Sequence, residues 1–297
     1  VGSEMCIRYR LYNNRKMPNK ILLSGKKGSG KSTFAYHLVN FFLSKDEELK
    51  YDLIENKINS ENKSFKLLQS SSHPNFYLID LLAEKKNIDV AQIRGMISYT
   101  NKSTFNNQDR FIMIDNVEYL NKNSINALLK IIEEPNENIY FILINNSEKN
   151  MLPTLKSRCI TFKIHFSFDE TVNICNQIFN QNILNELNHD LINYYCTPGE
   201  IIKLVQFAEE KQINLKDHDV SSIISLIIEN TYYKKNIFIK NLLINFIELF
   251  LLKRYKTSNN KNFLLNFYQS FIQKINNTEK FNLDEESLFL EFKSKIL

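Results

Sequence analysis

The stretch KILLSGKKGSGKSTFAYHLV, residues 20–39, restricts the fold of this 297-residue chain more than any other. Its centre has the spacing G-x-x-x-x-G-K-S, with Gly25, Gly30, Lys31 and Ser32 at the fixed positions. Apolar residues before it predict a strand, and Ser32–Ser44 has the periodicity of a helix. Strand, glycine loop and helix in that order make a phosphate-binding loop. The glycines let backbone N–H groups curl around phosphate oxygens. Lys31 places a point charge on the β- and γ-phosphates, Ser32 can ligate Mg²⁺, and the helix aims its positive end at the anion. Gly25, Lys26, Lys27, Gly28, Ser29, Gly30, Lys31, Ser32 and Thr33 are thus the expected nucleotide-binding residues, with ATP or ADP and Mg²⁺ as ligands. By chance the pattern arises in about one chain of this length in a hundred; the plain alternative is a surface Gly/Lys turn.

Further apolar runs predict strands at NFYLIDL (75–81), FIMID (111–115) and IYFILIN (139–145). Continuous runs of this kind suit a parallel sheet covered on both faces. Between them NSINALLKIIEEP carries Ile125, Leu128, Leu129 and Ile132 at helical spacing, with Pro135 as its stop. Residues 45–73 are polar and predict a helix and a loop. From about residue 166 the strand pattern gives way to helices, the longest running from Tyr232 to Tyr255. The apolar segment NLLINFIELFLLKRY within it is broken by Asn245 and Glu248, is too short to cross a bilayer, and reads as a buried helix. The expectation is an α/β nucleotide domain over residues 1–165, a small helical domain over 166–212 and a last helical domain over 213–297.

Composition adds limits. The 38 basic and 33 acidic residues leave a net charge of +5, which allows DNA nearby and does not require it. Cys6, Cys159, Cys175 and Cys196 form no C-x-x-C pair, and read as structural thiols in a reducing cytoplasm. No secretory leader is expected. His37, His165, His189 and His218 read as packed or solvated, with no Ser-His-Asp or metal-ligand cluster.

FIMIDN has the form of a Walker B strand. Asp115 would hold Mg²⁺ through water at the carboxyl end of its strand, or is simply a strand-ending Asp in a turn. Hydrolysing members of this class place a Glu next, to polarise the attacking water. Here that position is Asn116, and an amide accepts no proton at neutral pH. Glu118 lies two residues further on, with its side chain directed elsewhere. The expectation is a site that grips nucleotide and turns it over slowly or not at all.

The segment from Ile114 to Cys159 resembles the clamp-loader branch of the AAA+ ATPases, above all in NALLKIIEEP (126–135) and SRC (157–159). The resemblance covers roughly residues 20–210. Within that branch it is similar to the delta-prime family of bacterial DNA polymerase III. HPNFYLID (73–80) and IDVAQIRGM (88–96) look like family elements. MLPTLKSRC has the family's Pro-to-Ser spacing, which in the gamma/tau motor subunits is typically one residue longer. The resemblance implies a P-loop AAA+ domain, a helical lid and an all-α C-terminal collar for oligomerisation. It implies partners as well: gamma/tau motor subunits, a delta subunit, and through the complex a sliding clamp and primed DNA. The setting would be a cytoplasmic, membrane-free polymerase holoenzyme, itself a nucleotidyltransferase.

For single residues the resemblance makes Arg158 an arginine finger that enters a neighbouring subunit's ATP site; from the residues alone, it could equally pair with an acid on its own surface. Asn145 matches the sensor-1 position, where it would bond a phosphate or water, or cap a turn. Glu200 stands where the family's sensor-2 Arg follows PG, and a carboxylate there repels a γ-phosphate. The family's zinc module needs four cysteines before HP; residues 45–72 contain none, so no zinc is expected. The competing functions are a gamma/tau-like or other AAA+ motor with its own turnover, and a nucleotide-binding scaffold outside replication.

Overall fold

The predicted apolar runs form four of the five strands of a single parallel sheet. The computed structural model describes residues 18–82, 85–102, 108–134, 138–147, 149–192, 196–281 and 283–297. Its strands are β1 (Lys20–Ser24), β2 (Phe76–Ile79), β3 (Arg110–Ile114), β4 (Ile139–Asn145) and β5 (Ile160–Lys163), in the order β2-β3-β4-β1-β5. Every pairing is parallel, and β1 meets β4 in register from Lys20 opposite Phe141 to Ser24 opposite Asn145.

Because successive strand residues point to opposite faces, the core divides in two. Ile21, Leu23, Met113, Ile142 and Ile144 face one layer, with α1 (Lys31–Leu43) supplying Phe34, Leu38 and Val39, and α2 (Lys63–Gln69) supplying Leu68. Leu22, Ile112, Ile114, Phe141 and Leu143 face the other. There α3 (Val90–Thr100) supplies Ile93 and Met96, and α4 (Lys122–Glu133) supplies Ile125, Leu128 and Ile132. Asn121 caps α4 by accepting from Ser124 N at 2.8 Å. The expected stop, Pro135, lies outside the described residues, as does Cys6.

The α/β domain and the helical second half are as the sequence predicts, with one strand added. β5 escapes an apolar-run search because it is an edge strand whose Ile160 is 52% exposed. It pairs with β1 alone, and helix α5 (Pro153–Lys156) leads into it.

Residues 45–73 are tied down by side chains. The Glu47 carboxylate accepts from Lys63 N at 2.8 Å and Ser64 N at 2.9 Å, and so satisfies orphan donors at the start of α2. Asn40 and Asn62 exchange two amide hydrogen bonds of 3.2 Å in a buried pair. His37, expected to be packed or solvated, meets the Tyr51 hydroxyl at 3.0 Å. His73 is buried beside Ser64, and its Nδ1 accepts from Asn75 N at 3.1 Å.

Burial, with help from the Lys63 charge and against Glu47, holds the His73 pKa below the ordinary histidine value. The unfolded chain therefore takes up the proton first as pH falls below about 6.5, and stability drops there. Urea unfolding between about pH 7 and pH 5 is expected to show His73→Gln losing less stability than the parent.

The chain divides into two compact units. One runs to Glu170 and takes in Thr197–Gly199; the other comprises Thr171–Cys196 and Glu200–Leu297. Within the second half the helices are α6 (Phe168–Phe179), α7 (Ile183–Glu186), α8 (Pro198–Lys211), α9 (Val220–Glu229), α10 (Tyr232–Lys235), α11 (Ile237–Thr257), α12 (Lys261–Phe281) and α13 (Glu286–Ile296). The single helix expected from Tyr232 is split at Asn236, whose extended backbone and side chain cap α11 through Phe238 N at 2.8 Å. Leu242, Leu243, Phe246, Ile247 and Leu251 bury one side of α11, and among the described residues no helix is long and apolar enough to cross a membrane.

Candidate nucleotide site

The site forms where β1, β3 and β4 end, the edge at which parallel sheets place ligands. Three of the expected residues show why their types are needed. Gly28 and Gly30 have φ of 84° and 72°, a region that favours glycine. A Cβ on Gly25 would come within 2.2 Å of the Ile164 carbonyl oxygen, so the loop can leave β1 only through glycine. Gly30, by contrast, faces open space.

Three successive carbonyls of the loop, those of Lys26, Lys27 and Gly28, accept hydrogen bonds. Lys31 is buried and its ammonium donates to Lys26 O at 2.6 Å and Ser29 Oγ at 3.3 Å. Thr197 Oγ1 donates to Lys27 O at 3.0 Å, and Gly199 N to Gly28 O at 2.9 Å. A side chain on Gly199 would strike Gly28 Cα at 2.7 Å. Sequence reading did not foresee this clasp, which joins residues 170 apart. Lys26, Lys27 and Thr33 are exposed on the loop and the first turn of α1.

Ser32 Oγ donates to Asp115 Oδ2 at 2.5 Å, so the two expected Mg²⁺ ligands converge from the loop and from β3. A hydroxyl and a carboxylate held together beside a basic glycine loop fit a hydrated Mg²⁺ on a nucleotide phosphate. Tyr36 lies close by: burial first, then the negative charges of Asp115 and Asp80, raise its phenol pKa.

Around Asp115 runs a polar chain that the sequence reading saw only in part. Asp115 Oδ1 accepts from Asn116 N at 2.8 Å and Asn146 Nδ2 at 3.3 Å. Asn116 has φ 57°; its amide donates to Asp80 Oδ1 at 2.7 Å and its carbonyl accepts from Asn146 Nδ2 at 2.9 Å. Sequence alone does not single out Asp80 or Asn146: Asp80 sits within the predicted run 75–81, although β2 ends at Ile79, and Asn146 stands just past β4. Glu118 is turned off, as expected: it is buried and accepts from Asn146 N at 2.9 Å. Asn145 caps a turn through Ser147 N at 2.9 Å and donates to Ser24 Oγ at 3.3 Å.

Arg158 lies apart from this pocket, on the exposed rim between α4 and β5. Its Nε donates to Glu133 Oε1 at 2.8 Å and Nη1 to Thr154 O at 2.8 Å. The pairing with an acid on its own surface is therefore present in the single chain. Beside it, burial pushes the Cys159 thiol up to about 11, against the opposing charge of Lys20. Cys175 is likewise raised to about 11 by burial, so both are unreactive thiols at neutral pH. Glu200 occupies the first turn of α8, where a carboxylate suits the helix dipole.

A glycine loop between β1 and α1, with a serine and a strand-end aspartate converging at its mouth, on a parallel sheet covered by helices, defines a P-loop α/β fold. Residues 8–167, more than half of the chain, match the family described as DNA polymerase III, delta subunit, and the chain belongs to that family. A DNA polymerase III subunit delta′ from Pseudomonas aeruginosa is 31% identical over 100 residues, 34% of this chain and 30% of that protein. One from Bacillus subtilis is 26% identical over 221 residues, 73% and 63% of the two chains. A gamma subunit from Buchnera aphidicola is 30% identical over 168 residues, 53% and 41%. The chain thus spans 30% to 63% of the length of these relatives.

Proposed function

We propose that this chain is the stationary, delta-prime-type member of a bacterial clamp-loader ring. In this role it joins gamma/tau motor subunits and a delta subunit, and the ring places a sliding clamp on primed DNA. Its own pocket holds ATP or ADP with Mg²⁺ through Lys31, Ser32 and Asp115, without efficient turnover. Arg158 serves the pocket next door. The helical half supplies its lid and its share of a collar, and the complex works in the cytoplasm.

One observation carries the reading: Asn116, in the place of a general base, has its amide locked between Asp80 and Asn146, while Glu118 is spent on a backbone N–H. The loop is built to grip phosphate, and the carboxylate that would activate water is displaced. The delta-prime relatives and the SRC segment support the partner set.

The test is direct. The isolated chain should bind ATP, and Lys31→Ala should weaken binding about tenfold or more, because a charge-assisted contact to phosphate is lost. Its steady-state ATP hydrolysis should stay near background. The gamma relative supports a second reading, a self-sufficient motor. Vigorous turnover by the isolated chain, abolished by Lys31→Ala, selects that reading and ends the first.

A further inference from the structure

We infer that Glu133 is the positioning residue for Arg158: it holds the guanidinium in one arrangement on the half-exposed surface of the sheet domain, ready to meet a neighbour's phosphate. The inference rests on the trans-acting role proposed above.

Two of the five N–H donors of Arg158 are hydrogen-bonded: Nε to Glu133 Oε1 at 2.8 Å and Nη1 to Thr154 O at 2.8 Å. Nη2 lies 2.5 Å from the same Oε1 as an ion-pair contact. Both terminal nitrogens keep N–H groups, which is what a phosphate needs from a guanidinium fork. The anchors come from two helix ends. Glu133 is the last residue of α4, and Thr154 O is a carbonyl in the single turn of α5. Both sit on the sheet domain, so the arginine is referred to a packed frame through Leu128, Ile132 and Leu155, all buried.

As a stabilising contact the pair has little to offer. The two side chains are 36% and 50% exposed, and exposed ion pairs contribute little to folding. What the pair does provide is order. A long, rotamer-rich side chain is held in one arrangement before its partner arrives, which removes an entropy penalty of the size that changes affinity or rate about 2- to 10-fold.

The test uses the full chain reconstituted with motor subunits, with ATP as substrate. Glu133→Ala is expected to lower the motor's kcat about 2- to 10-fold, with KM for ATP unchanged. Glu133→Gln keeps a carbonyl oxygen that accepts the same N–H groups, and should restore most of the rate. Both variants should keep the parent's melting temperature, which separates positioning from loss of fold. A Glu133→Ala complex as fast as the parent or faster, in a preparation where Arg158→Ala is slow, overturns the proposal while leaving the trans arginine intact. An Arg158→Ala complex as fast as the parent removes the trans role itself, and this inference with it.

Discussion

Alanine at Arg158 is expected to lower ATP turnover at a neighbouring motor site about 10³-fold in the reconstituted complex. The size follows from where the charge acts. A guanidinium inside a water-excluded subunit boundary stabilises charge on the transferring phosphoryl group and does little for bound ATP. Removing it should therefore fall on kcat and leave KM nearly untouched. Arg158→Lys should rescue poorly, because an ammonium lacks the planar fork that offers two parallel N–H groups. The control is Lys31→Ala in the same chain. It damages this chain's own grip and should leave the neighbour's turnover largely intact. Equal losses from the two variants would place the catalytic pocket in this chain and overturn the division of labour. Steady-state hydrolysis of ATP by the complex, with each variant compared at saturating nucleotide, decides it.

Much of the sheet domain was legible because its signals are local. The glycine loop is a contiguous string, and β3 and β4 are unbroken apolar runs whose residues are nearly all buried. What was hidden depends on neighbours in space. β5 is short and half exposed, so only its pairing with β1 makes it a strand. The break at Asn236 is a cap inside an otherwise helical run, and helical periodicity alone cannot register it. The same holds for the site. Lys31, Ser32 and Asp115 follow from spacing, whereas Asp80 and Asn146 join the pocket from the ends of β2 and β4, 36 and 30 residues from Asn116. Glu133 was part of the EEP string, but nothing in the string says that it faces Arg158. The two readings of Arg158 are compatible in the fold: an arginine can rest on its own surface acid and still offer its remaining donors outward.

The polar chain around Asn116 yields the last expected result: moving one carboxylate should create turnover, but only if its neighbour is neutralised. Asn116→Glu alone puts a carboxylate where the amide now donates to Asp80 Oδ1 at 2.7 Å. Two like charges that close cannot both ionise readily; they hold a proton between them, and the pKa of the new acid rises out of the range of a useful base. Asn116→Glu with Asp80→Asn exchanges the two groups instead. The amide at position 80 can donate to the carboxylate at position 116, so the hydrogen bond survives reversed and the net charge stays the same. Asn146 Nδ2, which now donates to the Asn116 carbonyl at 2.9 Å, can donate to the new carboxylate too. A positioned general base contributes about 10²- to 10⁴-fold, so the gain should be at least about 10². Single-turnover hydrolysis of labelled ATP by excess chain measures it against the parent, Asn116→Glu and Asp80→Asn. A double variant no faster than Asn116→Glu would show that the carboxylate at position 80 does not silence a base there, and one no faster than the parent would show that a base at position 116 does not limit turnover.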